Sequence, residues 1–320
     1  MSEEGSQPII VGISEAGESD GALRFAIDEA VRQHCGIRIM HALSTTIPPP
    51  PGDPLIESGD HPGRIHHFVN RSEAAAAYRL ISEVGERARE MSGGKVTVDT
   101  DTPVGRRVHA IIEAAEDARL IVLQHRDLSI FERVFVHSTS IRVSARAHCP
   151  VVTVPPKWAT EPERNRVTVG IERFEGSAAL LRIAFDSASR RGARLDFVHG
   201  WKLMNADADI IASRSLADDW QVRSEKELED LLRPWQSEFP QVKVESHIVQ
   251  MGAAQVLLEH SKESDLLILG RYRDVAPLAL PLGSIARALV NGAHCPVEIV
   301  PHSESHKSKK PHDGKKTLRA

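Results

Sequence analysis

Glycine and serine residues near the end of the chain have a spacing that suits the binding of an anion. Gly270 ends the aliphatic run 266–269, and Gly283 and Ser284 stand directly before a segment with helical periodicity. Glycine allows a backbone to come close to a ligand, and the unpaired N–H groups at the start of a helix attract phosphate. These residues could therefore hold a phosphate group between the end of a strand and the start of a helix.

Other residue patterns that support chemistry are weak. The chain has 16 histidines but no HExxH pair and no paired Cys/His ligand spacing, so we predict no metal site. Ser138 and Ser284 have no evident His or Asp partner, and we interpret each as a helix N-cap and not as a nucleophile. We predict no catalytic residue. Several histidines could hold a metal loosely, but we interpret them as solvated surface: His66, His67, His302, His306 and His312.

The sequence contains the same unit twice. The segment 10–14 recurs as 168–172, and the segment 147–154 recurs as 293–300. The offsets are 170 − 12 = 158 at the front and 295 − 149 = 146 at the back, so the first unit carries one extra loop of 158 − 146 = 12 residues. Such self-similarity indicates a duplicated architecture, and function must be predicted separately for each repeat.

Strand and helix patterns alternate within each repeat. Each repeat opens with a β-branched run, followed by apolar residues at helical spacing. The strands are predicted at 8–13, 37–43, 95–100, 120–123 and 151–154, and again at 166–171, 195–201, 242–249, 266–269 and 297–300. Strands that alternate with helices predict parallel βαβ units. The predicted fold is therefore α/β, with two tandem, doubly wound, five-stranded parallel sheets in a Rossmann-like α/β/α sandwich.

The expected organisation is a first repeat at 1–156, a linker at 157–164, a second repeat at 165–302 and a basic tail at 303–320. The tail carries six Lys or Arg against two acidic residues, and its polar composition predicts disorder. The Pro-rich segment 48–54 is expected to be extended. That segment is either a functional loop or a passive insertion.

Composition limits the class of protein. A length of 320 residues suggests about two domains. The formal charge of −4 leaves −8 on residues 1–302 once the +4 of the tail is removed, which argues against a nucleic-acid-binding surface. No apolar run approaches the ~18 residues of a membrane helix, and the polar N-terminus does not resemble a signal peptide. We expect a cytoplasmic protein without membrane contact, in which Cys35, Cys149 and Cys295 are small buried hydrophobes.

The matched segments, in this order, resemble a tandem universal stress protein from residue 8 to about residue 302. Nucleotide-binding members of that family share the signature Gly-x2-Gly-x9-Gly-Ser/Thr between the fourth strand and the following helix. The resemblance also implies that the closing strands of the two repeats pair around a pseudo-two-fold axis. One chain would then mimic the usual dimer, and association of two chains into a homodimer stays open.

In the second repeat the signature reads Gly270, Arg273, Gly283 and Ser284. The resemblance implies that ATP, with or without Mg²⁺, binds this repeat alone. Glu172 would replace the aspartate that usually lies beside the nucleotide, and Gly200 would meet the adenine edge. The full implied set of binding residues is Gly170, Ile171, Glu172, Gly200, Leu269, Gly270, Arg273, Gly283, Ser284 and Ile285.

Arg273 is the departure from the signature, and it leaves two alternatives. A left-handed backbone at this position would cost a non-glycine residue about 1–2 kcal/mol. The guanidinium could instead pair with phosphate and offset that cost.

In the first repeat all three signature glycines are replaced. The same frame reads Gln124, Asp127 and His137-Ser138, and Ser14 stands where the second repeat has Glu172. Side chains would fill the space, and Asp127 would repel phosphate. We predict that the first repeat does not bind ATP.

The resemblance therefore implies a stress-response protein that binds ATP through its second repeat as a regulatory ligand. Any ATPase activity would be slow, and the protein partner is unknown. The alternative is a nucleotide-free universal stress protein that acts as a protein-interaction module.

Overall fold

The structure is a computed structural model that describes residues 7–14, 19–43, 55–58, 67–125, 139–156, 158, 163–201, 210–271 and 282–302. For 55–58, 67–70 and 210–218 it describes the backbone alone. Several sequence predictions concern residues outside these ranges or outside the described side chains: the Pro-rich segment 48–54, the tail 303–320, His66, His67, Asp127, His137, Ser138 and Arg273.

The elements of the first repeat follow the predicted alternation. Its strands are β1 (Ile9–Gly12), β2 (Ile37–Met40), β3 (Leu55–Ser58), β4 (His67–Asn70), β5 (Val98–Asp101), β6 (Leu120–Gln124) and β7 (Val151–Val154). Its helices are α1 (Asp20–Gln33), α2 (Arg71–Ser92), α3 (Arg107–Ala114) and α4 (Thr139–Ser144). The strands β3 and β4 form a separate antiparallel pair that the sequence analysis did not predict.

Among its described residues, which exclude 202–209, the second repeat has the same order of strands and helices without a hairpin. Its strands are β8 (Arg166–Gly170), β9 (Arg194–Gly200), β10 (Val244–Val249), β11 (Leu266–Gly270) and β12 (Val297–Val300). Its helices are α5 (Ala178–Arg191), α6 (Ile210–Glu238), α7 (Ala253–Ser261) and α8 (Ser284–Gly292).

The main sheet joins both repeats in the order β10-β9-β8-β11-β12-β7-β6-β1-β2-β5. Within each repeat the paired strands are parallel. Each half therefore has the doubly wound parallel arrangement that the sequence predicted. The strand order reverses direction between β1 and β6 and between β8 and β11, and such a reversal opens a crevice at the carboxyl ends of the two strands.

The two repeats meet through their closing strands. β7 and β12 pair antiparallel, with Ile299 opposite Val151 and Glu298 opposite Val152. This is the pairing that the family resemblance implied. It covers two edges that would otherwise present unpaired backbone groups. The seam is reinforced on one face, where Arg191 of α5 donates a hydrogen bond to Glu29 of α1.

Helices cover both faces of the sheet. Residues of α1 and α5 lie in one hydrophobic cluster that spans both repeats, whereas residues of α7 and α8 lie in another cluster on the opposite face. The strands between these layers are buried on both sides, which explains their continuous aliphatic sequences.

The three cysteines are free thiols. Burial raises the pKa of Cys35, raises that of Cys149 to about 11, and raises that of Cys295 further. Because the thiolate is the reactive form, these values support a structural role. Cys35 and Cys295 are buried as predicted, whereas Cys149 is only half-buried.

Candidate functional site

An open cleft lies at the carboxyl ends of β8 and β11, where the strand order of the second repeat reverses. It encloses about 610 Å³, including solvent at its open side. Ligand sites in doubly wound sheets occur at such a position. The lining residues are Gly170, Ile171, Glu172, Val198, Ala253, Leu257, Leu269, Gly270, Gly283, Ser284, Ile285 and Ala286.

Most of the residues implied by the family signature come together in this cleft. Eight of the ten line it: Gly170, Ile171, Glu172, Leu269, Gly270, Gly283, Ser284 and Ile285. Gly200 is not part of the lining, and Arg273 lies outside the described residues. Residues up to 286 − 170 = 116 positions apart in sequence thus surround one space because β8, β11 and α8 converge there.

The helix α8 points its N-terminus into the cleft. Gly283 is its N-cap, with φ −56° and ψ 157°, and Ser284 is its first helical residue. The sequence interpretation of Ser284 as an N-cap is therefore wrong by one position. A glycine cap has no side chain to accept the first N–H groups, and the first turn carries no acidic residue. These N–H groups and the positive end of the helix dipole favour an anion.

A second helix also begins at the cleft. Gly252 is the N-cap of α7, and Ala253, the first residue of that helix, lines the cleft. Its first turn again lacks an acidic residue. Ala253 was not among the residues expected from the sequence. Its signal was Gly252, which directly precedes the helix as Gly283 does.

The glycines at this site are not required by a left-handed backbone. For Gly170 the reason is the close packing of neighbouring side chains. Neither Gly270 nor Gly283 has a positive φ. A Cβ on Gly170 would lie 2.4 Å from Leu269 Cδ2 and 2.8 Å from Leu257 Cδ1. Gly170 therefore lets these two leucine side chains pack beneath the cleft.

The end of β9 supports the cleft from one side. A Cβ on Gly200 would lie 2.7 Å from the Cα of Ala253 and 2.9 Å from the carbonyl oxygen of Met251. Gly200 thus lets the start of α7 pack directly on the strand. His199 Nδ1 lies 2.7 Å from the carbonyl oxygen of Ile171 and donates to it, which holds the backbone that precedes Glu172.

The same histidine contact exists in the first repeat. His41 Nδ1 lies 3.2 Å from the carbonyl oxygen of Ile13, and burial lowers the pKa of His41, which favours the neutral ring. His41 and His199 occupy matching positions and make the same backbone contact, which indicates a shared structural role.

Arg271 follows Gly270 directly, but its side chain leaves the cleft. Its Nη1 donates to the carbonyl oxygens of Ser144 at 3.1 Å and Ala147 at 2.7 Å, both in the first repeat. Its own N–H donates to the carbonyl of Val300 at 2.7 Å. The guanidinium of Arg271 thus contacts the other repeat and not the cleft.

In the first repeat, Gln124 occupies the position of Gly270. Its Oε1 accepts the N–H of Ala22 at 2.8 Å, and its Nε2 donates to the carbonyl of Val154 at 3.0 Å. This side chain lies on the α1 face of the sheet, opposite the face that carries the cleft in the second repeat. The prediction that side chains fill the nucleotide space is therefore wrong for Gln124; Asp127 and His137 lie outside the described residues.

One serine motif was missed by the sequence analysis. Residues 17–21 read Gly-Glu-Ser-Asp-Gly, which fits the GxSxG pattern of a hydrolase elbow. Ser19 is the N-cap of α1, with φ −109°, and its buried Oγ has no partner among the described residues. Because Ser19 has an unstrained backbone and no basic partner among the described residues, we interpret it as a helix cap and not as a nucleophile.

A cluster of possible metal ligands lies away from the cleft. Ligand atoms of Asp196, Glu245 and His247 lie within 4.8 Å of one another. However, Arg194 Nε lies 2.9 Å from Asp196 Oδ1, and Arg166 Nε lies 3.2 Å from Asp196 Oδ2. Two guanidinium groups thus neutralise the buried carboxylate. We interpret the cluster as an ion-pair network that fastens the edge strand β10.

Within the part of the chain that the structure describes, no helix is both long and apolar enough to span a membrane.

Comparison with known proteins agrees with this architecture. The profile described as the universal stress protein family matches residues 5–155 and 163–301. A universal stress protein of Mycolicibacterium smegmatis is 27% identical over 300 residues, covering 91% of this chain and 96% of that protein. Universal stress protein Rv2005c of Mycobacterium tuberculosis is 26% identical over 299 residues, covering 92% and 97%.

A solved structure shows the same fold along the whole chain. The crystal structure of a universal stress protein from Archaeoglobus fulgidus has a TM-score of 0.65 at 16% identity and covers 94% of this chain and 97% of that one. Two consecutive family matches, tandem relatives and a shared fold lead to one conclusion. The chain belongs to the universal stress protein family.

Proposed function

We propose that the chain is a stress-response protein that binds ATP in the cleft of its second repeat and uses occupancy of that cleft as a regulatory signal. The observation that carries this proposal is the convergence of two glycine-capped helix starts, at Ala253 and Ser284, on one open cleft. Such helix starts favour phosphate. Mg²⁺ is the cation that would accompany the phosphates.

The remaining lining suits a nucleoside. Val198, Leu257 and Leu269 give the cleft an apolar floor on which a base can rest. Glu172 places a carboxylate at the mouth of the cleft, after the first strand of the repeat. A carboxylate in this class of fold can accept ribose hydroxyl groups.

The lining of the cleft suits ATP binding better than ATP hydrolysis. Among the described lining residues, Glu172 alone is ionisable, and rapid hydrolysis needs a base aligned with the attacking water as well as charge stabilisation. We therefore propose a binding protein whose ATPase activity, where present, is slow.

A thermal-shift titration of the full chain tests the proposal. A ligand that binds only the native state raises the melting temperature, by an amount equivalent to about 2.7 kcal/mol at one hundred times its Kd. Mg-ATP and ADP should raise it, whereas adenosine and tripolyphosphate, each lacking part of the ligand, should raise it less. Unchanged melting with millimolar Mg-ATP and ADP would contradict the proposal and favour the nucleotide-free interaction module.

A further inference from the structure

Arg271 connects the cleft of the second repeat to the first repeat. Its backbone continues β11 from Gly270, which lines the cleft, and its N–H donates to Val300 in β12. Its partly buried guanidinium crosses to the carbonyls of Ser144 and Ala147. One residue therefore holds both the end of the cleft strand and a segment of the other repeat.

One of the two carbonyls that Arg271 binds belongs to a helix end. The helix α4 ends at Ser144, and the last carbonyls of a helix have no partner within it. Ala147 lies in the turn that follows, three residues beyond that end. A cation at this end interacts favourably with the helix dipole and caps those oxygens. Because the donor is charged, each contact is stronger than a neutral hydrogen bond.

The opposite wall of the cleft rests on the same part of the first repeat. The helix α8, whose first turn lines the cleft, packs against α4. Ala145, which is 2% exposed, and Ile141 share a hydrophobic cluster with Leu282, Ala286 and Leu289 of the second repeat. Both the strand end and the helix start that form the cleft are therefore braced by 141–147.

The first repeat has a different residue at this position. His125 corresponds to Arg271 at the offset 271 − 125 = 146, and its N–H makes the equivalent bond to Val154 at 2.8 Å. The backbone is thus shared, whereas the sequence places the long guanidinium side chain in the second repeat. This asymmetry agrees with a cleft that is kept in that repeat.

We propose that Arg271 is a positioning residue that makes the first repeat a structural part of the ligand cleft, so that ligand occupancy and the contact between the repeats are thermodynamically coupled. This inference rests on the proposed function. Coupling is reciprocal: a ligand that prefers the braced cleft stabilises the contact, and loosening the contact weakens the ligand by the same factor. A repeat that binds no nucleotide would then still determine the affinity of its neighbour.

Three variants test the coupling. Arg271→Met removes the donors but keeps an extended side chain, and Arg271→Lys keeps a cation that can donate. Arg182→Met is the matched control, because Arg182 pairs with Glu238 within the second repeat at 3.1 Å. Affinity for Mg-ATP is measured by calorimetry well below each melting temperature, and hydrogen exchange is followed at 141–147 and 282–290.

Arg271→Met should weaken Mg-ATP binding about ten-fold, Arg271→Lys should restore most of it, and Arg182→Met should bind like wild type. In the wild type, Mg-ATP should slow exchange at 141–147, in the repeat that does not hold the ligand. A merely structural role would lower the melting temperature without these effects. Wild-type affinity in Arg271→Met, or protection confined to the second repeat, would overturn the inference.

Failure of the proposed function gives a different pattern. If the wild type binds no nucleotide, the contact made by Arg271 is tested in the ligand-free protein. Arg271→Met should then increase the rate of amide hydrogen exchange at both 141–147 and 282–290. Unchanged exchange at either segment would overturn it. If the methionine variant does not fold, Arg271→Gln, which keeps a neutral donor, replaces it in the same measurements.

Discussion

The two repeats differ most clearly at the ends of β6 and β11. In the first repeat, Gln124 bridges α1 and β7 by two hydrogen bonds. In the second repeat, Gly270 leaves a space of about 240 Å³, including open solvent, between Leu180 and Val300, which correspond to Ala22 and Val154. Gln124 thus makes contacts in the first repeat on the face opposite the cleft. In the second repeat, Gly270 has open space on both sides of the strand end.

Changes at the seam between the repeats should have the largest effect on stability, because both repeats depend on the pairing of β7 with β12. Proline at Ile299 or at Val152 removes a ladder donor in the middle of the sheet and should destabilise the whole chain. Ile299→Val is the matched control and should cost only about 0.5–1.5 kcal/mol. Denaturant unfolding measures both. Wild-type unfolding of the proline variants would show that β7–β12 pairing is not what joins the halves.

The seam also contrasts two equivalent residues, Glu298 and Val152, which lie opposite each other. Burial raises the pKa of Glu298 from 4.5 to about 7, the Glu29 carboxylate raises it as well, and Arg191 and Arg190 oppose the shift. The folded state therefore binds the proton more tightly than the unfolded state. The stabilisation that comes from protonated Glu298 is fully present below about pH 4.5. It is lost as the pH rises through about 7.

Glu298→Gln should remove that loss. At pH 8 the variant should be more stable than wild type by up to about 3 kcal/mol, since each pKa unit corresponds to about 1.4 kcal/mol. Near pH 4 the two proteins should unfold alike. Unfolding free energies measured from pH 4 to 8 check this, and a constant difference across that range would contradict the assigned titration.

Substitutions at Gly283 and at the equivalent position of the first repeat show which repeat binds Mg-ATP. Gly283→Asp places a carboxylate at the glycine cap and should weaken Mg-ATP binding by at least about one hundred-fold, because it brings like charge to the phosphate position. His137→Asp, at the equivalent position of the first repeat, should leave the affinity unchanged. Calorimetry on both variants checks this. Equal losses in the two variants would mean that both repeats contribute to binding.

Arg273 gives the smallest expected effect. If its guanidinium pairs with phosphate, Arg273→Ala should weaken ATP binding by up to about ten-fold and reduce its dependence on salt. If it instead strains the loop, Arg273→Gly should strengthen binding by up to about thirty-fold. Because the guanidinium of Arg271 donates to a carbonyl of the first repeat, we expect that Arg273 is the residue that pairs with phosphate. Affinity that is unchanged in both variants would place residue 273 away from the ligand.

Local patterns predicted the fold well. Periodicity located the strands and helices to within a few residues, and the repeated segments at 147–154 and 293–300 marked the strands that form the seam. The hairpin β3–β4 was missed because its two short strands follow a Pro-rich segment and match no strand among the described residues of the second repeat.

The cleft was predictable in outline, since eight of ten implied residues line it. What the sequence did not reveal depends on side-chain direction and long-range packing. Gln124 turns toward α1, and Arg271 reaches the carbonyls of the first repeat. Neither direction is encoded by the spacing of a motif. Gly200 similarly supports the start of α7 through close backbone packing.

We propose that one of the two repeats forms a nucleotide cleft. Calorimetric titration of the full chain with Mg-ATP needs no variant, because the stoichiometry counts the sites. We expect one ATP per chain. A stoichiometry of two ATP per chain would contradict it, since the first repeat would then bind nucleotide despite the loss of its three glycines.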